Sequence, residues 1–161
     1  MLALTEREIR GSFVNCSRGE VARMTVPDLD LVAWPELDYL GWVDPRAPLQ
    51  AAVVVPHEGE PVGVRLRRNQ GGSGRARMCS WCCTVHPGSG VALMVANRAG
   101  RAGRDGNTTG AEVCADLRCS AYARGTLPAP SVSTVAETIP AERRTERLQD
   151  NLGAFLRRVL R

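Results

Sequence analysis

The chain has 161 residues, 43% of them hydrophobic, with 21 basic and 17 acidic side chains and a net charge of +4. This suits one packed domain, expected to span residues 1–161, and excludes a low-complexity polymer. The longest apolar runs, such as residues 51–55, fall far short of the ~20 residues that cross a bilayer, which excludes a transmembrane helix.

The N-terminus, MLALTEREIR, meets charge too early to hold the apolar centre of a signal peptide. A cytoplasmic location is therefore expected, with thiols kept reduced and clustered cysteines pointing to metal or chemistry. Thr5-x-x-Glu8 has the capping-box form, and Ile9 and Phe13 follow at helical spacing, so a short helix is predicted over residues 5–14. Cys16-Ser17-Arg18-Gly19 is expected to break it. Residues 27–48 mix Pro, Asp and large apolar side chains without a period and predict irregular turns that pack aromatics onto a sheet. Residues 27–45 also hold five acids and no base, leaving about +9 on the remainder, so an acidic side and a basic side are expected.

Ala51–Val55 and residues 62–67 read as a hairpin around the turn His57–Pro61, the second strand with clean apolar/polar alternation. Residues 67–77, RRNQGGSGRAR, predict a basic loop. Strands are expected at 90–97 and 107–113, joined by the Arg- and Gly-rich RAGRAGRDG, followed by a short helix over 115–123. A proline-containing spacer, 127–140, leads to an amphipathic helix at about 141–160, where Leu148, Leu152, Phe155, Leu156, Val159 and Leu160 oppose an arginine-rich face.

The cysteines carry the chemistry. Cys79-x2-Cys82 and Cys114-x4-Cys119 are two short-range pairs separated by a predicted hairpin. A two-residue spacer lets a tight turn present two sulfurs to one Zn2+, and four thiolates close its tetrahedral shell. The second pair would converge from a strand end and a helix N-terminus, whose dipole favours thiolate. Knuckle, hairpin and helix, about residues 78–125, is the order of a treble-clef zinc finger. With no position left for water, one structural zinc ion is expected. Buried free thiols and a redox CxxC are the competing readings. Cys83 reads as a small buried hydrophobe, and Cys16 as a core thiol. His86 can replace a thiolate, hydrogen-bond to one from outside the ligand shell, or occupy a turn before Pro87.

These stretches, together with FVNCSRGEVARMTVPDLD (13–30), LDYLGWVDPRAP (37–48), MCSWCCTVH (78–86) and GNTTGAEVCADLRCSAYARG (106–125), resemble the elongation factor G-binding proteins. That FusB-type family is associated with fusidic acid resistance. The resemblance implies Cys79, Cys82, Cys114 and Cys119 as ligands, and an activity of binding elongation factor G and releasing it from drug-stalled ribosomes. The resistance proteins carry an additional N-terminal helical domain, whereas here about 45 residues precede the first strong strand.

From chemistry, Tyr122 and Arg124 form a candidate anchor pair for a partner. Arg98, Arg101 and Arg104 on the hairpin connection are candidates for acidic protein or ribosomal phosphate. The fold class expected is α+β: a small antiparallel sheet carrying the treble clef, with N- and C-terminal helices across it. The leading function is a non-enzymatic translation accessory protein that acts on elongation factor G, with the ribosome as a further partner and neither a membrane nor a small-molecule substrate. The alternative is a basic zinc-finger protein that binds RNA or the ribosome directly. HExxH, the zinc-deaminase pattern and a phosphate loop are absent, so an enzyme is not expected.

Overall fold

The apolar run at 51–55 forms the middle of a strand covered on both faces. In the computed structural model, which describes residues 1–69, 74–130 and 137–161, strand β1 (Leu40–Val43) pairs antiparallel with β2 (Gln50–His57), and β2 with β3 (Glu60–Asn69). Two-residue strands β4 (Arg77–Met78) and β5 (Val85–His86) form a separate small hairpin. Strands β6 (Val91–Asn97) and β7 (Thr108–Cys114) then complete a five-stranded antiparallel sheet in the order β1-β2-β3-β6-β7. The middle of the predicted basic loop, 70–73, and residues 131–136 of the spacer lie outside the described residues.

Side-chain alternation assigns the two faces. Ala51, Val53 and Val55 of β2 join the main core, whereas Ala52 and Val54 face a second cluster with Ile9, Leu40 and Trp42. That second cluster lies under α1 (Glu6–Gly11) and two 3-10 turns, Leu29–Leu31 and Trp34–Glu36, with α2 (Arg18–Arg23) in the chain between them. Phe13 meets β3 at Gly63, where Val14 N–H donates to Gly63 O and Gly63 N–H to Ser12 O. A Cβ on Gly63 would lie 2.6 Å from Ser12 Oγ, so this close approach needs glycine.

Along β6 and β7 follow α3 (Gly100–Arg104), in the connection between them, and α4 (Cys119–Arg124). The main core is covered by α5 (Ala141–Leu160), which buries Leu148, Leu152, Phe155, Leu156 and Val159. Leu160, expected on that apolar face, is 40% exposed: it continues the Leu152–Leu156 edge of the stripe and is the last residue of the helix.

Several local expectations need correction. The first helix stops at Gly11, and the predicted break at 16–19 is the start of a second helix: Ser17 and Glu20 form a capping box just as Thr5 and Glu8 do. Strand β1 lies inside the segment expected to be irregular, where Leu40 and Trp42 alternate inward. RAGRAGRDG contains a helical turn, α3. The helix expected over 115–123 starts only at Cys119, because Leu117 adopts a left-handed conformation at φ 57° and its N–H closes a turn onto Cys114 O. Two of the five acids of 27–45, Asp38 and Asp44, are buried and do not contribute to an acidic surface.

Phe155 sits fully buried against Trp81, with ring centroids 5.4 Å apart. Phe155→Ala is expected to cost about 3–5 kcal/mol in urea unfolding, whereas Leu31→Ala, at a residue 82% exposed, should change stability by less than about 0.5 kcal/mol.

Candidate metal centre

The small hairpin of β4 and β5 exists to fold six residues tightly. Cys79 N–H donates to Thr84 O and Cys83 N–H to Cys79 O, each at 2.9 Å, and the chain reverses at Cys83 with φ 64°. This turns Cys79 and Cys82 inward. Trp81 N–H and Cys82 N–H point at Cys79 Sγ from 3.3 and 3.5 Å, an arrangement that stabilises a thiolate. From the other side, Cys114 is the last residue of β7 and Cys119 the first of α4, with the turn through Leu117 bringing them together. Across the gap, Ser80 N–H donates to Glu112 O, tying the knuckle to β7.

The four sulfurs all lie within 4.8 Å of one another and all four residues are buried. Cys79 and Cys119 Sγ are 3.7 Å apart, Cys82 and Cys114 Sγ 3.5 Å. A tetrahedron with metal–sulfur bonds of about 2.3 Å has edges of about 3.8 Å, so the cluster has the dimensions of a Zn–S4 site. Hydrogen bonds from Cys114 and then Cys119 pull the Cys79 and Cys82 thiols below their ordinary range. Cys114 is pushed up, first by its hydrogen bond to Cys119, and Cys119 chiefly by burial. Four sulfurs this close share protons unless a divalent cation takes their place. The donor set is soft, closed and dry, and fits one structural zinc ion.

The site is built into the main core. Trp81, within the CxxC, is 1% exposed and packs edge-on against Tyr39 at 5.6 Å. Tyr39 Oη–H in turn donates to Leu117 O at 2.8 Å, steadying the second ligand turn. From α5, Asn151 Nδ2 donates to Trp81 O at 3.0 Å and Arg147 Nη2 to Cys82 O at 3.2 Å. Trp81, Tyr39 and Asn151 were not singled out from the sequence. The tryptophan inside CSWCC was the available signal, since a large apolar residue between two metal ligands faces the core.

His86 Nε2 lies 3.2 Å from Cys114 Sγ, and the imidazole is buried edge-on against Tyr122 at 4.9 Å. It is placed beside the sulfurs as a hydrogen-bonding neighbour. Tyr122 Oη–H donates to Asp116 Oδ2 at 3.0 Å, and the side chain is half-buried beside His86. Arg124 instead turns inward: its Nη2 donates to the buried Asp38 Oδ1 at 2.7 Å, where Gln149 Nε2 also donates. Arg101 and Arg104 are exposed on α3 and Arg98 half-buried beside it, remote from the sulfurs. Cys83, expected to be a small buried hydrophobe, is half-buried outside the cluster, its thiol pushed up chiefly by burial. Cys16 is also only half-buried; burial, then the Glu20 carboxylate, push its thiol up to about 11.

His86→Ala is expected to retain one zinc per chain but to weaken zinc affinity about 10–100-fold in chelator competition. Cys83→Gly should keep full zinc content by elemental analysis and raise stability by about 1 kcal/mol, because it relieves a left-handed backbone at a residue outside the ligand set.

Comparison with known proteins bears on the same geometry. The family model described as the FBP C-terminal treble-clef zinc-finger matches residues 8–159. No curated protein sequence matches the chain. Among solved structures, that of the fusidic acid resistance protein FusC superposes with a TM-score of 0.55 at 15% identity, over 88% of this chain and 54% of that one. This chain thus spans about half the length of FusC, and the likeness is one of fold. With the family match covering both cysteine pairs, the sheet and α5, the chain belongs to the FBP C-terminal treble-clef zinc-finger family.

Proposed function

We propose that residues 1–161 act as one unit that binds elongation factor G through its zinc module and favours the factor's release from the ribosome. The observation that carries this reading is the family match over 8–159, which spans a finger whose metal site is structural in design. FusC, which shares the fold, is described as a fusidic acid resistance protein; protection of the factor against that drug is the corresponding proposal here. The role in this reading is non-enzymatic, and four thiolates leave the zinc no coordination position for a reacting water. No helix of the described residues is long and apolar enough to cross a membrane, and the proposed partner places the work in the cytoplasm.

The mechanism is differential binding. A protein that holds a released form of the factor more tightly than the ribosome-bound form shifts its population, whereas equal affinity for both shifts nothing. The surface best suited to such contacts flanks the knuckle. There an open groove of about 620 Å³ is lined by Cys83, Thr84, Val85, Tyr122, Leu127 and Ile139, among others. It offers an aromatic edge and aliphatic walls, the composition of an anchor pocket. Arg124 contributes indirectly, by fixing α4 to Asp38. The zinc holds the Tyr122 helix and the knuckle in register, which makes partner binding metal-dependent.

Calorimetric titration of elongation factor G with the zinc-loaded chain is expected to show binding at micromolar affinity or better. Chelator-stripped protein should lose it, and Tyr122→Ala, with zinc content retained, should weaken it about ten-fold or more. An intact, zinc-loaded chain that does not bind the factor would overturn the reading.

A further inference from the structure

The hairpin of β6 and β7 has two chemically different ends. At one, Val91 pairs with Cys114; at the other, Asn97 pairs with Thr108. Six residues of strand separate the zinc ligand from that far end, about 20 Å at about 3.4 Å per residue. The far end carries α3 with Arg98, Arg101 and Arg104, and the C-terminus of α5 is fastened to it: Ala99 N–H donates to Val159 O at 2.7 Å. This brings the last turn of α5, with Arg157, Arg158 and Arg161, up to the same corner; the Arg157 guanidinium lies back along the helix toward Gly153 and that of Arg158 over the Phe155 ring, 5.8 Å from its centroid. In segments 98–107 and 156–161 the six arginines face one acid, Asp105. It sits opposite Arg101 in an exposed pair at 3.5 Å, too solvated to neutralise the corner. Glu20, across the hollow lined by Arg98 and Arg104, is already paired with Arg65.

The α3 turn is firmly built. Arg98 N–H donates to Asn107 O and Asn107 N–H to Ala102 O, at 2.9 and 3.0 Å. A Cβ on Gly103 would come within 1.8 Å of Arg98 O, so only glycine permits the fold of this turn. The arginines therefore project from a rigid frame joined to a 20-residue helix, while Arg101, Arg104, Arg157, Arg158 and Arg161 remain exposed.

We propose that this corner is a docking surface for the phosphodiester backbone of a structured nucleic acid, independent of the elongation-factor surface at the zinc end. A protein partner would call for an aromatic or aliphatic anchor at the centre of the patch, ringed by polar groups. Here the aromatic, Phe155, is buried, and Leu160 is the one large apolar residue that emerges. Reading of single-stranded bases needs exposed aromatic platforms, which the corner also lacks. What remains is a set of cations on two elements, suited to phosphates along a duplex and indifferent to sequence.

The test measures fluorescence anisotropy of labelled RNA and DNA duplexes across a salt series. The wild-type chain is expected to bind with a log K that falls linearly with log salt, steepening by about 0.9 for each duplex phosphate engaged. Arg101→Gln/Arg104→Gln/Arg157→Gln/Arg158→Gln should lower affinity about ten-fold or more at low salt and flatten the slope by about two units or more. Zinc content and elongation-factor binding should stay unchanged. Tighter binding to the RNA duplex would name the ribosome or another structured RNA as the target; equal binding to both would leave a general backbone site. Arg7→Gln/Arg46→Gln/Arg143→Gln, at exposed arginines elsewhere, should have little effect. The proposal is overturned if that control flattens the slope as much, if the corner variant binds duplexes like wild type, or if it loses elongation factor binding instead. Because the factor is assayed separately, failure of either surface leaves the other standing.

Discussion

Four sulfur atoms at the centre of an apolar core cannot all carry charge unless a cation lies among them, and the fold is organised around that constraint. Cys79, Cys82, Cys114 and Cys119 belong to the same cluster as Val53, Leu66, Met94, Leu152 and Phe155. The metal site and the hydrophobic core are one object. Zinc binding to thiolate sites is worth roughly 10–16 kcal/mol, against about 5–15 kcal/mol for the whole stability of a typical domain. On that scale the ion does more than decorate a finished fold: it removes the electrostatic penalty that would otherwise keep Trp81, Tyr39 and α5 from closing over the sulfurs.

Helix α5 is the element that is hydrogen-bonded to both ends of the molecule. Near its middle, Arg147 and Asn151 donate to the carbonyls of Cys82 and Trp81, and at its end Val159 O accepts from Ala99. These polar contacts satisfy backbone groups of the knuckle and of the α3 turn that would otherwise be left without partners under the helix. They also fix the axial position of α5 against the sheet, which a purely apolar stripe defines poorly. The hairpin β6–β7 acts as the parallel strut, holding Cys114 at one end and the arginine turn at the other.

Legibility in the sequence followed periodicity and ligand spacing. The CxxC, the four-residue spacer of the second pair and the i, i+4, i+7 stripe of α5 are all local patterns, and the treble clef and the terminal helix could be read directly from them. Four strands of the antiparallel sheet were legible, one from its apolar/polar alternation at 62–67 and the others from short runs, apolar at 51–55 and 90–97, bounded by turn residues. What escaped were features set by long-range contact. Strand β1 is made by its pairing with β2 and lies within a proline- and aspartate-rich segment that shows no period of its own. Helix α2 carried a readable capping box at Ser17 and Glu20, masked by the glycine inside it. The late start of α4 depends on Leu117 entering the left-handed region, which no propensity would favour in a leucine. It is imposed by the need to bring Cys119 back toward Cys114.

The charge distribution read from sequence changes most on folding. Asp38 and Asp44, which made residues 27–45 look acidic, are turned inside. Asp44 accepts from the N–H groups of Thr25 and Arg46, and Asp38 accepts from Arg124 and Gln149 while its own N–H donates to the buried Ser120 Oγ. A buried ion pair is weak evidence of stability, since desolvation offsets most of its attraction. Its geometric effect is firmer. Asp38 ties the segment before β1 to α4 and α5 at once, so the helix bearing Cys119 and Tyr122 has one allowed position against the sheet. The acidic surface is left with Asp28, Asp30 and Glu36, while the exposed arginines remain exposed. Because Arg124 turns inward with Asp38, that pair leaves the surface balance unchanged, and only Asp44 is withdrawn without a basic partner. On such a surface scattered arginines distinguish no partner; their clustering at the α3 corner and the apolar anchors at the zinc end do.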